Sequence, residues 1–378
     1  MRKLVVLTVA VFVGALAALQ IDHWVRRDRA PELRTTESLR GVDGFGVRPV
    51  NLESSVTAPV DFRAAVKKIM PAVVSVDSTS TGRGFFGEAV AQSSSGSGVV
   101  ISSDGNIITN HHVVAGASKV RVHFSDGRSM DARIVGSDPR SDIAVLKVNG
   151  KGLPAAELGS SAALEIGEWV IAAGNPLGYE NTVSVGVVSS LGRTLPTESA
   201  ILVDAIQTDA AINRGNSGGA LANAQGQLVG INSAIASNTG GSVGIGFAIP
   251  IDRAKRIVKD LIETGRVRYG WLGIQINPQP VLANAGDRQA LSEMVGAMPP
   301  SEGLLIQRVV QGSPAARLGI QRFDVLLAID GKKIVEAIDF QKQMVDRKPG
   351  DKVEIRYWSR GQTKTIQVTL EDLTTTTS

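Results

Sequence analysis

The chain has 378 residues, 43% of them hydrophobic, and a formal net charge of +4 at pH 7. It contains no cysteine, which excludes disulfide bonds, thiol catalysis and cysteine metal ligands. The basic excess is small and lysine and arginine form no stripe, so we expect no nucleic-acid partner. The length predicts two or three domains, and 41 glycines beside few aromatic residues favour turns and β-structure.

The N-terminal segment carries an apolar run at residues 4–19, preceded by two basic residues. The run is slightly shorter than the ~20 residues of a membrane-spanning helix, and it lies at the upper limit of a signal-peptide core. Trp24, followed by arginines, resembles an interfacial anchor. We therefore interpret residues 1–24 as a membrane anchor, with a cleaved signal peptide as the alternative. Residues 25–60 are polar and aperiodic, which predicts a linker.

Short β-like runs separated by turn signals occupy most of residues 61–266. The clearest runs lie at 73–76, 98–101, 107–109, 120–124, 143–148, 169–173 and 182–189. Their number and spacing predict two β-barrels, one before about Gly150 and one after. Residues 82–97 are rich in glycine and serine and are predicted to form a loop. A helix whose apolar face includes Ile262 ends this region at Gly265.

A second unit of distinct composition covers residues 267–373, and residues 374–378 form a polar tail. Its first part is an irregular stretch that reaches about residue 301. Strands follow, together with a helix that carries Phe340 and Met344 on one face, and a hairpin ends the unit. A length of about 100 residues fits a small independent domain.

A serine lies inside a glycine-dense turn at residues 213–219, with apolar strand-like sequence on both sides. Glycine adopts backbone angles that other residues avoid, so Ser217 can be held outward. The backbone N–H groups of Gly215, Asn216 and Ser217 can then converge beside its hydroxyl oxygen. This geometry is that of a nucleophile with an oxyanion hole, and a simple hairpin turn is the alternative.

A serine nucleophile needs a base, and the base needs a group that orients it. The adjacent His111 and His112 close a predicted strand, and histidine is the usual base near neutral pH. Asp142 directly precedes an apolar strand, so its carboxylate can be partly buried against an imidazole. A capping role in a turn is the alternative for this aspartate. The order His, Asp, Ser along the chain is that of chymotrypsin-type barrels.

Five short segments resemble signatures of the HtrA (Deg) family of serine proteases. They lie at 109–114, 141–144, 174–178, 215–219 and 244–250. The region from Tyr269 onward resembles a single PDZ domain. The layout of the chain, with one N-terminal apolar segment, one protease domain and one PDZ domain, is most similar to that of the membrane-anchored, DegS-like branch. One departure lies in the PDZ part, where Phe323 stands in place of a glycine that usually precedes the aspartate.

The resemblance implies a mostly β fold, in which a chymotrypsin-like double β-barrel protease domain over residues 61–266 is followed by one α+β PDZ domain. It implies His112, rather than His111, as the base, with Asp142 as its orienting group. Ser217 is then the nucleophile of an acyl-enzyme mechanism. The resemblance also implies a homotrimer that works without ATP, without a metal and without an organic cofactor.

The primary specificity pocket follows from the same resemblance. The residue six positions before the nucleophile is Ala211, which is expected at the pocket floor, and Ile231, Asn232 and Ser233 are expected to form one wall. None of these residues is acidic, so we predict cleavage after small or medium aliphatic residues. The preference should be graded, because one methylene group in such a pocket changes binding by only ~1–3 kcal/mol.

The PDZ region is predicted to bind peptides that end in a hydrophobic residue, held by exposed backbone N–H groups and added as a strand beside a sheet edge. The residues expected at this site are Trp271, Leu272, Gly273, Ile274, Ile338, Gln341 and Met344. Arg193 matches an arginine implicated in relaying activation between the PDZ domain and the protease in DegS-like members.

The resemblance therefore implies a serine endopeptidase of the bacterial periplasm, anchored to the inner membrane and acting on polypeptide substrates in the stress response. Two jobs remain open from the sequence: degradation of misfolded envelope proteins, and a single regulatory cut in a signalling protein. A catalytically silent PDZ scaffold or a holdase chaperone is the alternative from another class. That alternative predicts damage to the triad, and the sequence shows none.

Overall fold

The computed structural model describes residues 61–83, 89–175, 181–197, 201–213, 215–235, 244–279 and 281–372. The predicted anchor or signal peptide, the linker and the polar tail lie outside these residues. No helix within the described ranges is long and apolar enough to cross a membrane.

The first barrel contains six antiparallel strands. They are β1 (Val73–Arg83), β2 (Ala89–Val100), β3 (Asn106–Thr109), β4 (Ala117–His123), β5 (Ser129–Asp138) and β6 (Ile143–Val148). They close in the order β1-β2-β3-β6-β5-β4, so no edge strand stays unpaired. The predicted loop at residues 82–97 is wrong in its second half, which belongs to β2. Small residues suit this strand, because a Cβ atom at Gly96 would lie 2.7 Å from the Val113 side chain.

The second barrel repeats this architecture after residue 150. Its strands are β7 (Trp169–Gly174), β8 (Thr182–Pro196), β9 (Ile201–Thr208), β10 (Ala220–Asn223), β11 (Leu228–Ile235) and β12 (Gly246–Pro250). They close in the order β10-β11-β12-β9-β8-β7. The prediction of a mostly β, double-barrel fold is confirmed.

Helices are few in the barrel region. They are α1 (Arg63–Ile69), continued by a 3-10 turn (Met70–Ala72), the short α2 (His111–Val114), and α3 (Ile251–Thr264). Helix α3 buries Ile257 and Leu261 against the barrels, and Gly265 ends it in the left-handed conformation, as predicted. Ile262 was placed on the buried face, which is wrong, because its side chain is 45% exposed.

The PDZ part is built on a five-stranded antiparallel path, β14-β15-β16-β18-β19, to which β17 is added, while β13 pairs with β20. The strands are β13 (Gly270–Trp271), β14 (Ile274–Ile276), β15 (Leu304–Val309), β16 (Val325–Ile329), β17 (Lys332–Lys333), β18 (Lys352–Ser359), β19 (Gln362–Thr369) and β20 (Glu371–Asp372). The helices are α4 (Ala285–Val295), α5 (Pro314–Arg317) and α6 (Ala337–Met344), with a 3-10 turn at Val281–Ala283. The sheet and α6 enclose a core of their own.

The stretch predicted as irregular up to residue 301 contains helix α4, so that prediction is wrong. Asn284 caps this helix by accepting hydrogen bonds from the N–H groups of Gly286 and Asp287. Leu291 is the helix residue that is buried. A helix that buries so little leaves no apolar period in the sequence, which explains why the pattern did not indicate it.

Phe323 has a φ of +72°, a value that non-glycine residues seldom adopt. Its ring packs onto a satellite cluster that contains Leu291 and Trp358, and the Arg322 guanidinium lies 4.4 Å from the ring centroid. This turn therefore combines an unfavourable backbone conformation with apolar packing of the Phe323 ring beneath α4.

Candidate active site

The histidine of helix α2 and the aspartate that precedes β6 are in direct contact. The Nδ1 atom of His112 lies 2.9 Å from one carboxylate oxygen of Asp142 and 3.0 Å from the other. The backbone N–H of His112 also donates to this carboxylate at 3.1 Å. Asp142 is 1% exposed, so its charge depends on such donors. The contact at Nδ1 leaves Nε2 of His112 as the nitrogen that can accept a proton.

The backbone around Asp142 is held in an unusual conformation, with a φ of +57°. The carbonyl oxygen of Asp142 accepts hydrogen bonds from the side-chain amide of Asn110 at 2.9 Å and from the backbone N–H of His111 at 3.1 Å. Strain of this kind persists only where the surroundings fix the residue. The strand end that carries the histidines thus also fixes the aspartate.

Ser233 connects the aspartate to the second barrel. Its hydroxyl donates to the Asp142 carboxylate at 2.8 Å, and its carbonyl accepts the hydroxyl proton of Ser217 at 3.2 Å. The sequence had assigned Ser233 to the specificity pocket and missed this contact. A hydroxyl has one proton, so Ser217 must rotate away from Ser233 before it donates to His112. Catalytic hydrogen bonds are often long or misaligned without substrate.

The turn that carries Ser217 is locked onto the first barrel. The hydroxyl of Ser97 donates to the carbonyl of Gly215 at 2.5 Å, and the N–H of Ser97 donates to the carbonyl of Ser217 at 2.8 Å. At Gly218, where φ is +83°, a Cβ atom would overlap the carbonyl oxygen of Ser97. The glycine-rich sequence is therefore required by the close approach of the two barrels.

One of the three N–H groups predicted to form the oxyanion hole is already used in a hydrogen bond within the turn. The backbone N–H of Asn216 donates to the carbonyl of Asn213 at 3.0 Å, so its assignment to the oxyanion hole is wrong. The side chain of Asn216 accepts a hydrogen bond from the Thr182 hydroxyl at 2.8 Å. The N–H groups of Gly215 and Ser217 remain the candidate donors.

The predicted specificity pocket is only partly supported. Ala211 is half-buried, and its carbonyl accepts the Ser184 hydroxyl at 2.7 Å. Ile231 and Asn232 are 0% exposed, and the Asn232 amide donates to the Ala220 carbonyl at 3.0 Å. Solvent does not reach these two side chains, so the structure gives no support to their assignment to the pocket wall.

A groove of about 510 Å³ lies beside the first PDZ strands and helix α6. Most of the predicted peptide-binding residues line it: Trp271, Leu272, Gly273, Ile274, Gln341 and Met344. Ile338 is not among the residues that line it and instead lines a separate cavity of about 300 Å³, so the structure does not support that assignment. Phe340 lines the groove in its place, and the helical phase shared with Met344 was the signal for it.

The PDZ part also contacts the turn that carries Asp142. The hydroxyl of Tyr269 donates to the Asp138 carboxylate at 2.5 Å, and the same carboxylate accepts the backbone N–H of Ser141 at 2.9 Å. Burial, followed by the Asp138 charge, raises the pKa of Tyr269 far above its usual value. Arg193 lies in β8, a strand that approaches α6, and its side chain is exposed.

Two six-stranded barrels with a His–Asp pair in one and a serine turn in the other define a trypsin-like peptidase fold. Residues 96–231 match the trypsin-like peptidase domain family, and residues 270–370 match the PDZ domain family. The described residues contain no cluster of three or more His, Asp or Glu side chains that could hold a metal ion. The chain belongs to the HtrA-type serine proteases.

Relatives and solved structures agree on this family. The chain is 44% identical over 278 residues to a probable periplasmic serine endoprotease, DegP-like, from Ectopseudomonas mendocina (strain ymp), a match that covers 74% of this chain and 56% of that protein. It is thus matched to only about half the length of this relative. The structure of the HtrA-type protease AlgW with a decapeptide is 36% identical, with a TM-score of 0.68 over 83% of this chain and 99% of the other. The serine endoprotease from Yersinia pestis is 33% identical, with a TM-score of 0.61 over 84% and 100%.

Proposed function

We propose that this chain is a serine endopeptidase of the bacterial periplasm that cleaves polypeptides through an acyl-enzyme. The observation that carries the proposal is the contact of His112 Nδ1 with a buried Asp142 that is linked through Ser233 to Ser217. His112 removes the proton of Ser217 and later returns it to the leaving amine, while Asp142 holds the imidazole in the required tautomer. The N–H groups of Gly215 and Ser217 stabilise the oxyanion.

The test is hydrolysis of an unfolded protein substrate by the purified chain. Ser217→Ala and His112→Ala should abolish turnover, because each removes a reacting group. His111→Ala is the matched control and should retain most of the activity, since the His111 ring contacts the Ser137 hydroxyl instead of Asp142. An inactive His111→Ala together with an active His112→Ala would show that His111, and not His112, is the base. A wild-type chain with no hydrolysis would favour the silent scaffold or holdase.

We propose further that the PDZ groove binds the C-termini of other proteins. The groove is lined mainly by apolar side chains, and β14 offers a strand beside which a peptide can add. The relative AlgW has been solved with a decapeptide, which is a property of that protein and supports the proposal here by similarity. Peptides with a hydrophobic C-terminal residue are the expected ligands.

We also infer that peptide binding raises the rate of cleavage. The hydrogen bond from Tyr269 to Asp138 joins the PDZ part to the turn that carries Asp142, and the exposed Arg193 on β8 is the second candidate relay. A ligand shifts such an equilibrium only by its differential affinity for the two states. The response should be about 5- to 150-fold, and Arg193→Ala should weaken the response without weakening peptide binding. Tight binding with an unchanged rate would contradict the coupling.

We also propose that the chain forms a homotrimer, that it is anchored to the inner membrane, and that it acts in the response to envelope stress. An exposed apolar surface supports self-association: Ile166 is 68% exposed, Trp169 is 44% exposed, and the Phe62 and Trp169 ring centroids lie 5.5 Å apart. Sedimentation of the wild-type chain as a monomer would contradict the trimer.

Release of the full-length protein from membranes by alkaline carbonate would contradict the anchor. Envelope proteomics distinguishes quality control, with many stabilised proteins, from a single regulatory cut.

Cleavage after small or medium aliphatic residues remains the proposed specificity. It rests on Ala211, a small and uncharged residue, at the expected pocket floor. A peptide-library profile dominated by cleavage after Arg or Lys would contradict it.

A further inference from the structure

One wall of the PDZ groove does not belong to the PDZ part. Arg140, from the turn between β5 and β6, and Val203, from β9, line the same groove as the loop at residues 271–274. A ligand in this groove therefore contacts both the peptidase barrels and the PDZ part. Arg140 lies only two positions before Asp142.

Arg140 is the charged residue among the groove-lining side chains. Its guanidinium lies 5.0 Å from the centroid of the Tyr269 ring, and within the described part of the chain it forms no ion pair with a carboxylate. The surrounding lining is mainly apolar. An unpaired guanidinium at the rim of an apolar groove selects a ligand that brings a negative charge.

The loop at residues 271–274 is oriented to receive an anion beside this cation. The carbonyl of Leu272 accepts the N–H of Ala315, and the carbonyl of Gly273 accepts the N–H of Val310. Because the C=O and N–H of one trans peptide point in opposite directions, the N–H groups of Gly273 and Ile274 point away from those partners. Consecutive N–H groups of this kind form an anion-binding concavity.

We propose that Arg140 supplies the positive charge that pairs with the chain-terminal carboxylate of a bound peptide, so that both parts of the chain hold the ligand jointly. The proposal rests on the function proposed for the PDZ groove. The carboxylate is the one negative charge that every C-terminal peptide carries, and it belongs at the end of the groove where the loop N–H groups lie. Arg140 is thus a specificity-determining residue contributed by the peptidase barrels.

The experiment measures peptide affinity on the full chain carrying Ser217→Ala, so that the ligand is not cleaved. A fluorescent decapeptide with a hydrophobic last residue is prepared with a free C-terminal carboxylate and as the C-terminal amide, and binding is followed by anisotropy. Arg140→Ala should weaken binding of the carboxylate peptide about two- to fivefold, the range of an exposed charge pair. It should leave binding of the amide unchanged. Arg140→Lys should retain part of the affinity.

Arg322→Ala is the matched control, because Arg322 also lies over an aromatic ring and is exposed but does not line the groove. It should change neither affinity. Equal losses for carboxylate and amide upon Arg140→Ala would mean that Arg140 only shapes the groove, which overturns the proposal. The proposal would also be overturned if the effect of Arg140→Ala disappeared when an internal acidic residue of the peptide was replaced but persisted when the C-terminus was amidated.

The outcomes also separate this proposal from the one on which it rests. Tight binding of the carboxylate peptide that Arg140→Ala does not change overturns the role of Arg140 alone. Failure of both peptides to bind the chain that carries only Ser217→Ala overturns the peptide-binding function of the groove and the role of Arg140 with it.

Discussion

The nucleophile turn and the PDZ loop each contain a glycine in the left-handed conformation, but different atoms constrain these two glycines. Gly218 and Gly273 have nearly the same φ, +83° and +85°. A Cβ atom at Gly218 would overlap the backbone oxygen of Ser97, whereas at Gly273 it would overlap the side chain of Ser313. Backbone from another barrel cannot be removed by a substitution, but a side chain can. The nucleophile turn is therefore the more rigidly specified of the two regions.

The largest effect is expected for Gly218→Ala. The substitution combines a left-handed φ with overlap against a backbone oxygen. A displacement of about 1 Å at a reacting group costs roughly 100-fold in rate, so we predict a loss of hydrolysis of at least that size. Gly116→Ala is the control, because its φ is +66° but no atom lies within 4 Å of the added Cβ. The control should lose only about 1–2 kcal/mol of unfolding free energy. Similar activities for the two variants would contradict the comparison.

A smaller effect, which a second substitution should partly restore, is expected for Gly273→Ala. The added methyl group overlaps Ser313, so the loop shifts and peptide affinity should fall about tenfold, measured by anisotropy. Addition of Ser313→Gly should restore part of the affinity, since it removes the overlapping atoms while the cost of the positive φ remains. Ser313→Gly alone controls for the loss of its cap on helix α5. A double variant no better than Gly273→Ala would show that the two loops are constrained alike.

The smallest effect concerns the hydrogen bond from Tyr269 of the PDZ part to Asp138, close to the turn that carries Asp142. Burial and the Asp138 charge raise the pKa of Tyr269 above its unfolded value near 10. The contribution of Tyr269 to the free energy of unfolding is fully present well below pH 10. It is lost as the pH rises through and above 10, because the tyrosine ionises first in the unfolded state. Between pH about 8 and about 10.5, wild type should therefore lose up to about 1 kcal/mol more stability than Tyr269→Phe, measured by urea denaturation. Equal pH dependence in both proteins would contradict the assignment.

The parts of the site that the sequence predicted are those set by local chemistry. His112, Asp142 and Ser217 each lie at a strand end or in a glycine turn, so short motifs were enough to predict them, and the structure brings His112 and Asp142 into contact. Asn216 was assigned wrongly, because which N–H groups a turn consumes depends on its hydrogen bonds and not on its composition.

The parts that the sequence did not predict depend on side-chain direction and on contacts between distant segments. Ile231 and Asn232 are close in sequence to the active site but are buried, and counting positions cannot assign the face of a strand in a closed barrel. The same limitation applies to Ile338 and Phe340, which differ by helical phase. Arg140 and Tyr269 are far apart in the sequence, and the fold brings them together, a contact that no local pattern encodes.

The central claim is that Ser217 is a nucleophile activated by His112. The most direct measurement is covalent labelling of the full chain with a fluorophosphonate, followed by digestion and mass spectrometry to locate the label. We predict that the label lies on Ser217, that His112→Ala prevents labelling, and that His111→Ala does not. Label on another serine, or equal labelling of Ser217 in the presence and absence of His112, would contradict the claim.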